Sequence, residues 1–243
     1  MSNSWFRFKQ FTVHQDRCAM KVTTDACLFG AWTAKEIQIR TDQENKHILD
    51  LGAGTGLLSL MIAQANPSYI IDGIDIDEEC YEQAKENTEG TGWKGKINNL
   101  HGDAGSFVFG KKYDVIISNP PFYENELRSE NEKKNIAHHS EHLSMVDLCR
   151  TIKNNLSDSG IFFLLLPYKR KAEIDELLKK ENLPVSKRLL VRQTVNHTYF
   201  RMMIAGSMKA SDLSMEYEIA IKDGNQQYTP EFRALLKDYY LNF

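Results

Sequence analysis

His47-Ile48-Leu49-Asp50-Leu51-Gly52-Ala53-Gly54-Thr55-Gly56-Leu57-Leu58 reads as an apolar strand that breaks into three alternating glycines and then opens a helix. Glycines at such a turn let the backbone approach a ligand closely and fold back sharply. The amides at the start of the following helix then point at whatever is bound. The spacing G-x-G-x-G differs from the dinucleotide pattern G-x-G-x-x-G, and taken alone it also admits a plain β-to-α turn.

Working outward, Tyr69-Ile70-Ile71-Asp72-Gly73-Ile74-Asp75 is a second strand. It ends in a carboxylate about 20 residues past the glycines, the spacing at which an acid meets ribose hydroxyls in nucleotide-binding α/β folds. Asp77 reads as the cap of a helix with Glu78 and Glu79 in its first turn, which leaves Asp75 as the ligand candidate. A third strand, 96–101, runs into Gly102-Asp103-Ala104. There a carboxylate could accept from an amino group and the Ala104 amide could serve a ring nitrogen, although a G-D-A sequence is also an ordinary turn.

The fourth strand, Tyr113–Ser118, ends in Asn119-Pro120-Pro121-Phe122. Two prolines cannot donate to a ladder, so carbonyls are left unclaimed at the strand exit. An exocyclic amino group could donate one hydrogen to the Asn119 amide oxygen and the other to the Pro120 carbonyl while Phe122 stacks on its ring. Further strands are expected at 160–166, 187–193, 199–206 and 214–222. A helix is expected from Tyr168 to Leu178, and another from Pro230. Strands alternating with helical segments predict an α/β, doubly wound, mainly parallel sheet, with the four candidate sites along one edge.

The order D-L-G-A-G-T-G, G-I-D-I-D, H-G-D-A, N-P-P-F resembles the class I S-adenosylmethionine-dependent methyltransferases, in the branch that acts on exocyclic amino or amide nitrogens. The segment from Phe11 to Trp32 narrows the match, as does the C-terminal run Tyr228-Thr229-Pro230-Glu231-Phe232-Arg233. Both closely resemble the bacterial tRNA(Val) adenine-N6 methyltransferases, almost end to end. That resemblance implies a Rossmann-like seven-stranded sheet in a single domain spanning 1–243, with residues 1–34 packing over the cofactor edge. It implies methylation at N6 of the adenosine immediately 3′ of the anticodon. S-adenosylmethionine is expected to meet Asp50, Gly52, Ala53, Gly54 and Gly56 through the loop, Asp75 at the ribose, Asp103 and Ala104 at the adenine, and Thr24 and Asn119 near the methionine and methyl end. Asn119, Pro120 and Phe122 are the catalytic candidates, and Phe122, Tyr123, Arg17 and Lys21 the substrate contacts. Thr24 or Asp25 is expected to cap a short amphipathic helix carrying Ala26, Leu28, Phe29, Ala31 and Trp32.

The composition fits this reading and limits it. The chain has 243 residues, 42% of them hydrophobic, enough for a large core. Its longest apolar run, Ile161–Leu166, is far too short for a membrane span. Cys18, Cys27, Cys80 and Cys149 form no C-x-x-C pair, which points to reduced thiols and a cytoplasmic protein. His138, His139 and His142 lack a third ligand nearby in sequence, so no metal is expected, and a monomer is. The net charge of −3 is unusual for a generic nucleic-acid binder. Lys169, Arg170, Lys171, Lys179, Lys180, Lys187, Arg188 and Arg192 nevertheless gather in one third of the chain, where, with Arg7, Lys9, Arg17 and Lys21, they form either an RNA-facing surface or solvated helix faces. A protein-glutamine N5-methyltransferase, a ribosomal RNA guanine-N2 methyltransferase, and a nucleic-acid-binding module that merely keeps the fold are the competing readings.

Overall fold

The computed structural model describes residues 3–40, 46–121, 143–209 and 214–243. Its framework is one sheet with the strand order β10-β8-β9-β7-β6-β3-β4-β5. The strands are β3 (His47–Leu51), β4 (Ile70–Asp75), β5 (Ile97–His101), β6 (Tyr113–Ser118), β7 (Leu156–Pro167), β8 (Val185–Thr194), β9 (Tyr199–Ser207) and β10 (Met215–Lys222). Every neighbouring pair is parallel except the two made by β9. All eight segments expected to be strands enter this sheet, one strand more than the seven that the resemblance implies. β10 is the addition, paired outside β8.

The chain runs from β3 outward through β4 and β5, then returns to the other side of β3 for β6 and β7. The strand order therefore reverses at β3, where open α/β sheets bind ligands beyond the strands' carboxyl ends. A strand covered on both faces has no polar side to show, and Phe162 to Leu166 in β7 are at most 1% exposed. Burying each such side chain stabilises the fold by roughly 1.5–3 kcal/mol.

Two apolar layers result. One joins the sheet to α1 (Thr24–Arg40), α2 (Leu57–Ala65) and α6 (Pro230–Leu236). The other joins it to α4 (Met145–Asn155) and α5 (Lys171–Lys180). The helix expected to be short and amphipathic is α1, which is 17 residues long and buried on all sides from Ala26 to Ala34. It lies between the sheet, α2 and α6, so no face of that stretch is left to water. Gly30 allows the crossing with α2, because a Cβ there would come within 2.7 Å of the Met61 sulfur.

Before α1, β1 (Trp5–Arg7) and β2 (Thr12–His14) form a separate hairpin. It docks on the C-terminal segment, with the Lys9 amide donating to the Tyr239 carbonyl at 2.8 Å. It also docks on α3 (Glu78–Glu89) through Asn87, which accepts from the His14 amide at 2.8 Å. No helix of the described residues is long and apolar enough to cross a membrane.

Candidate active site

Leu51 of β3 is level with Ile74 of β4 on one side and Ser118 of β6 on the other, and Ser118 is level with Leu164 of β7. One residue farther along, Asp75, Gly52 and Asn119 therefore leave three adjacent strands in a single row, with strand spacings of about 4.8 Å. The Ser118 hydroxyl donates to the Leu51 carbonyl at 2.7 Å and fixes this level. Three of the four sites expected from sequence thus converge at the switch point.

The glycine loop is held by main-chain bonds. The amides of Gly52 and Ala53 both donate to the Ile74 carbonyl, at 2.9 and 3.0 Å, and the Gly54 amide donates to Asp75 Oδ2 at 2.7 Å. Gly54 has φ of 55° and Gly56 φ of 78°, a left-handed backbone that side chains resist. Their surroundings differ. A Cβ at Gly52 or Gly54 would meet no atom within 4 Å, whereas one at Gly56 would lie 3.3 Å from the Ala84 Cβ of α3. Gly52 and Gly54 line an open cradle, and Gly56 permits the close approach of α3.

The carboxylates also separate by role. Asp75 accepts from Gly54 through one oxygen and from the Asp77 amide at 3.0 Å through the other, and still has lone pairs for a ligand. Burial raises its pKa above the usual carboxylate range, against the lowering effect of those amides. Asp50 is fully buried and its Oδ2 accepts from the Ser59 hydroxyl of α2 at 2.8 Å, so it lies beneath the loop and binds strand to helix. Burial pushes its pKa up to about 7, and its Oδ1 has no hydrogen-bond partner among the described residues. Asp103 accepts from the Gly105 amide at 2.9 Å and the Ser106 hydroxyl at 3.0 Å, one bond to each oxygen as at Asp75, and so also keeps acceptor capacity. Asp103 is exposed and Ala104 half-buried, while the Gly102 amide ties the turn to the Asp75 carbonyl at 2.9 Å. Asp77 caps α3 as expected, accepting from Glu79 and Cys80.

At the strand exit Asn119 is half-buried, Pro120 buried and Pro121 half-buried. Phe122 and Tyr123, and with them His138, His139 and His142, lie outside the described residues. Among the described residues no group of three or more His, Cys, Asp or Glu side chains converges as a metal site would.

The N-terminal candidates are placed differently from the sequence expectation. α1 is capped by Thr23, whose hydroxyl accepts from the Ala26 amide at 3.4 Å and whose carbonyl accepts from Cys27 at 3.0 Å. Thr24 is the first helical residue, and Asp25 is instead the partner of Arg201 at 2.8 Å. Lys21 directs its ammonium to the carbonyls of Gln15 and Cys18, the latter at 2.6 Å, and so staples its own loop. Arg17 pairs with Glu86 at 2.8 Å on the surface. The basic third of the chain is similarly engaged. Arg170 meets Glu173, Lys171 meets Asp175, Lys187 meets Glu36, Arg188 meets Asp175 and Glu216, and Arg192 meets Glu218. Acids both near and far in sequence thus pair with five of the eight basic residues gathered there.

One residue that the sequence did not single out is central to the loop. Asn87 of α3 is 2% exposed, and its amide nitrogen donates to the carbonyls of His14 and Thr55, each at 2.9 Å. With the His14 amide as donor, it joins the hairpin, α3 and the glycine loop. An asparagine within a helix carries no local signal of such a role.

Comparison with known proteins agrees with this architecture. Residues 35–152 match the methyltransferase small domain. A solved structure from Agrobacterium tumefaciens, titled a "predicted O-methyltransferase", superposes with a TM-score of 0.65 at 17% identity, covering 87% of this chain and 95% of that one, which speaks for the fold alone. The tRNA1(Val) (adenine(37)-N6)-methyltransferase of Dyadobacter fermentans is 40% identical, with 99% of each chain covered. The protein of the same name from Christiangramia forsetii is 36% identical at the same coverage. With a glycine cradle, a strand-end acid and an Asn-Pro-Pro exit in one row, and such identity over nearly the full length, the chain belongs to the tRNA1(Val) (adenine(37)-N6)-methyltransferase family.

Proposed function

We propose that this protein methylates N6 of the adenine immediately 3′ of the anticodon in a valine-type tRNA, using S-adenosylmethionine. The observation that carries the reading is the shared row of Asp75, Gly52 and Asn119, which sets a nucleoside cradle beside a strand exit suited to an amino group. The cradle fits the cofactor, since the space over Gly52 and Gly54 is open and Asp75 retains acceptor capacity for ribose hydroxyls. When bound, the cofactor supplies a methyl group already activated by a positively charged sulfur.

The protein's contribution is then mainly position and polarity. Asn119 Oδ1 and the Pro120 carbonyl accept the two N6 hydrogens, which turns the nitrogen lone pair toward the methyl, and the spare proton passes to solvent. Phe122 and Tyr123 are the sequence candidates for stacking on the adenine, which must leave the loop to enter. A preorganised pair of acceptors serves this reaction without a strong base. The family resemblance and the reduced thiols support a cytoplasmic place of action.

The test is transfer of tritium from labelled S-adenosylmethionine to bulk tRNA, ribosomal RNA and a peptide release factor in parallel. The expected label is in tRNA, at N6 of the adenine following the anticodon. Label confined to the release factor would replace this reading with the glutamine one, and label confined to ribosomal RNA would replace it with the guanine one.

A further inference from the structure

Past the row of Asn119, the outer end of β7 and the start of β9 carry three partly buried aromatic rings, Tyr168, Tyr199 and Phe200. Pro167 and Arg201 are the last pair between β7 and β9, so Tyr168 and Phe200 both stand just beyond it, while Tyr199 is still level with Arg192 of β8. Counting from Leu164, which is level with Ser118, Tyr168 lies three residues outward from the row of Asn119. That is about 10 Å, and β9 is about 10 Å to the side of β6. Tyr168 and Tyr199 therefore lie on the same sheet edge as Asn119, within about 15 Å of it.

Their surroundings favour flat apolar partners over phosphate. The Tyr168 and Tyr199 rings meet at 5.0 Å with an interplanar angle of 59°. The Arg192 guanidinium lies 4.3 Å from the Tyr199 centroid and donates to the Tyr199 oxygen at 2.7 Å. It is also paired with Glu218 at 2.9 Å, and Glu218 accepts from the Tyr199 hydroxyl. An adjacent carboxylate cancels the attraction of that guanidinium for phosphate but leaves its planar face able to stack. On the other side of β9, the Arg201 guanidinium lies 5.6 Å from the Phe200 ring while it holds Asp25. Single-stranded RNA is commonly recognised on such surfaces, by stacking of bases on aromatic rings and guanidinium planes.

Building on the tRNA reading above, we propose that Tyr168 and Tyr199, with Arg192 held against Tyr199, form a stacking platform for an anticodon-loop base that flanks the target adenine, while Phe200 faces the opposite layer of the sheet. Flipping one nucleotide unstacks its neighbours, and the platform offers a displaced neighbour a new surface. Tyr199 is the residue to test, because it touches both Tyr168 and Arg192.

The experiment measures the affinity of the protein for an anticodon stem-loop RNA, together with KM and kcat for its methylation. Tyr199→Leu should weaken RNA binding and raise KM by roughly 5- to 150-fold, the worth of one stacked base, with a smaller change in kcat and unaltered S-adenosylmethionine affinity. Tyr199→Phe keeps the ring and should restore most of the loss. An RNA lacking one base beside the target should bind wild type and Tyr199→Leu equally. Equal RNA affinity of wild type and Tyr199→Leu would overturn the platform, as would a loss that persists on every abasic RNA. Because binding is read separately from turnover, a wild-type protein that binds the RNA without methylating it contradicts the reaction assignment and leaves the platform to the binding comparison.

Discussion

Around β3 and β4 the sheet edge is held by main-chain amides of the loop, Gly52 and Ala53 giving theirs to the Ile74 carbonyl and Gly54 its own to the Asp75 carboxylate. Around β6, β7 and β9 the same edge is made of side chains: Asn119, then Tyr168, Tyr199, Phe200 and their arginines. A main-chain cradle suits a cofactor that is the same in every turnover. Side chains at the other end suit the choice of acceptor, because they can change without disturbing the loop. The largest effect that would sharpen this division comes from Asn119→Ala. It should lower turnover by about 10²- to 10³-fold, the usual cost of one preorganised polar group, while cofactor affinity measured by calorimetry stays within a few-fold. Cofactor affinity lost in parallel with turnover would break the comparison, since both ends would then serve one ligand.

The cradle in turn depends on a partner far away in sequence. Asn87→Ala removes three hydrogen bonds and leaves the His14 amide and the carbonyls of His14 and Thr55 without them. A loss of about 2–4 kcal/mol is expected, read as a lower urea midpoint, because buried polar groups without partners cost about 1–3 kcal/mol each. Cofactor affinity should fall as well, since the loop loses its tie at Thr55. Asn119→Ala should leave the urea midpoint nearly unchanged, so the two variants separate a support of the fold from a group of the reaction.

The glycines divide the cradle more finely. Gly54→Ala forces a side chain into a left-handed backbone, a strain of about 1–2 kcal/mol, but no atom obstructs it. Gly56→Ala adds a contact at 3.3 Å with Ala84 to a similar strain. Gly54→Ala should therefore act mainly on cofactor affinity, by occupying the cradle, and Gly56→Ala mainly on thermal stability, by pressing α2 from α3. The reverse order of effects would place the cradle at Gly56.

The parts legible in sequence are those fixed by local backbone chemistry. The loop, the Asp77 cap, the strand ends and the proline exit each follow from a few contiguous residues, and Asp75 emerged because a parallel β-α-β unit sets the distance from glycines to acid. Contacts that only the folded backbone brings about were not legible. Asp103 has a strand-end position like that of Asp75 and, like it, accepts one local bond through each oxygen, but it leaves its strand outside the row of Gly52 and Asn119. Lys21 looks like a phosphate contact until Gln15 and Cys18 present their carbonyls. Asp25 looks like a cap until Arg201 arrives from β9. The ion pairs of the basic cluster with Glu36, Glu216 and Glu218 were likewise not legible, because those acids come from distant segments.

Asp50 and Asp75 sit at the ends of adjacent strands, and their different burial gives the smallest test of the comparison. Asp50 has a folded-state pKa raised to about 7 from an ordinary 3.8, with burial as the main cause. Between those values the folded state binds a proton that the unfolded state has already released, so stability falls as pH rises through this window. At 1.36 kcal/mol per unit, the fall between pH 6 and 7.5 is on the order of 1 kcal/mol. Asp50→Asn keeps an oxygen to accept from Ser59 and removes the titration, so its stability curve over that range should be flatter than that of the wild type by about this amount. The measurement is a series of urea unfolding curves across the interval, read as the difference between the two proteins. Parallel curves would mean that Asp50 is already ionised at pH 6, with water or a ligand reaching it from the cradle. It would then belong with Asp75 among the groups that face the cofactor, instead of beneath the loop that holds it.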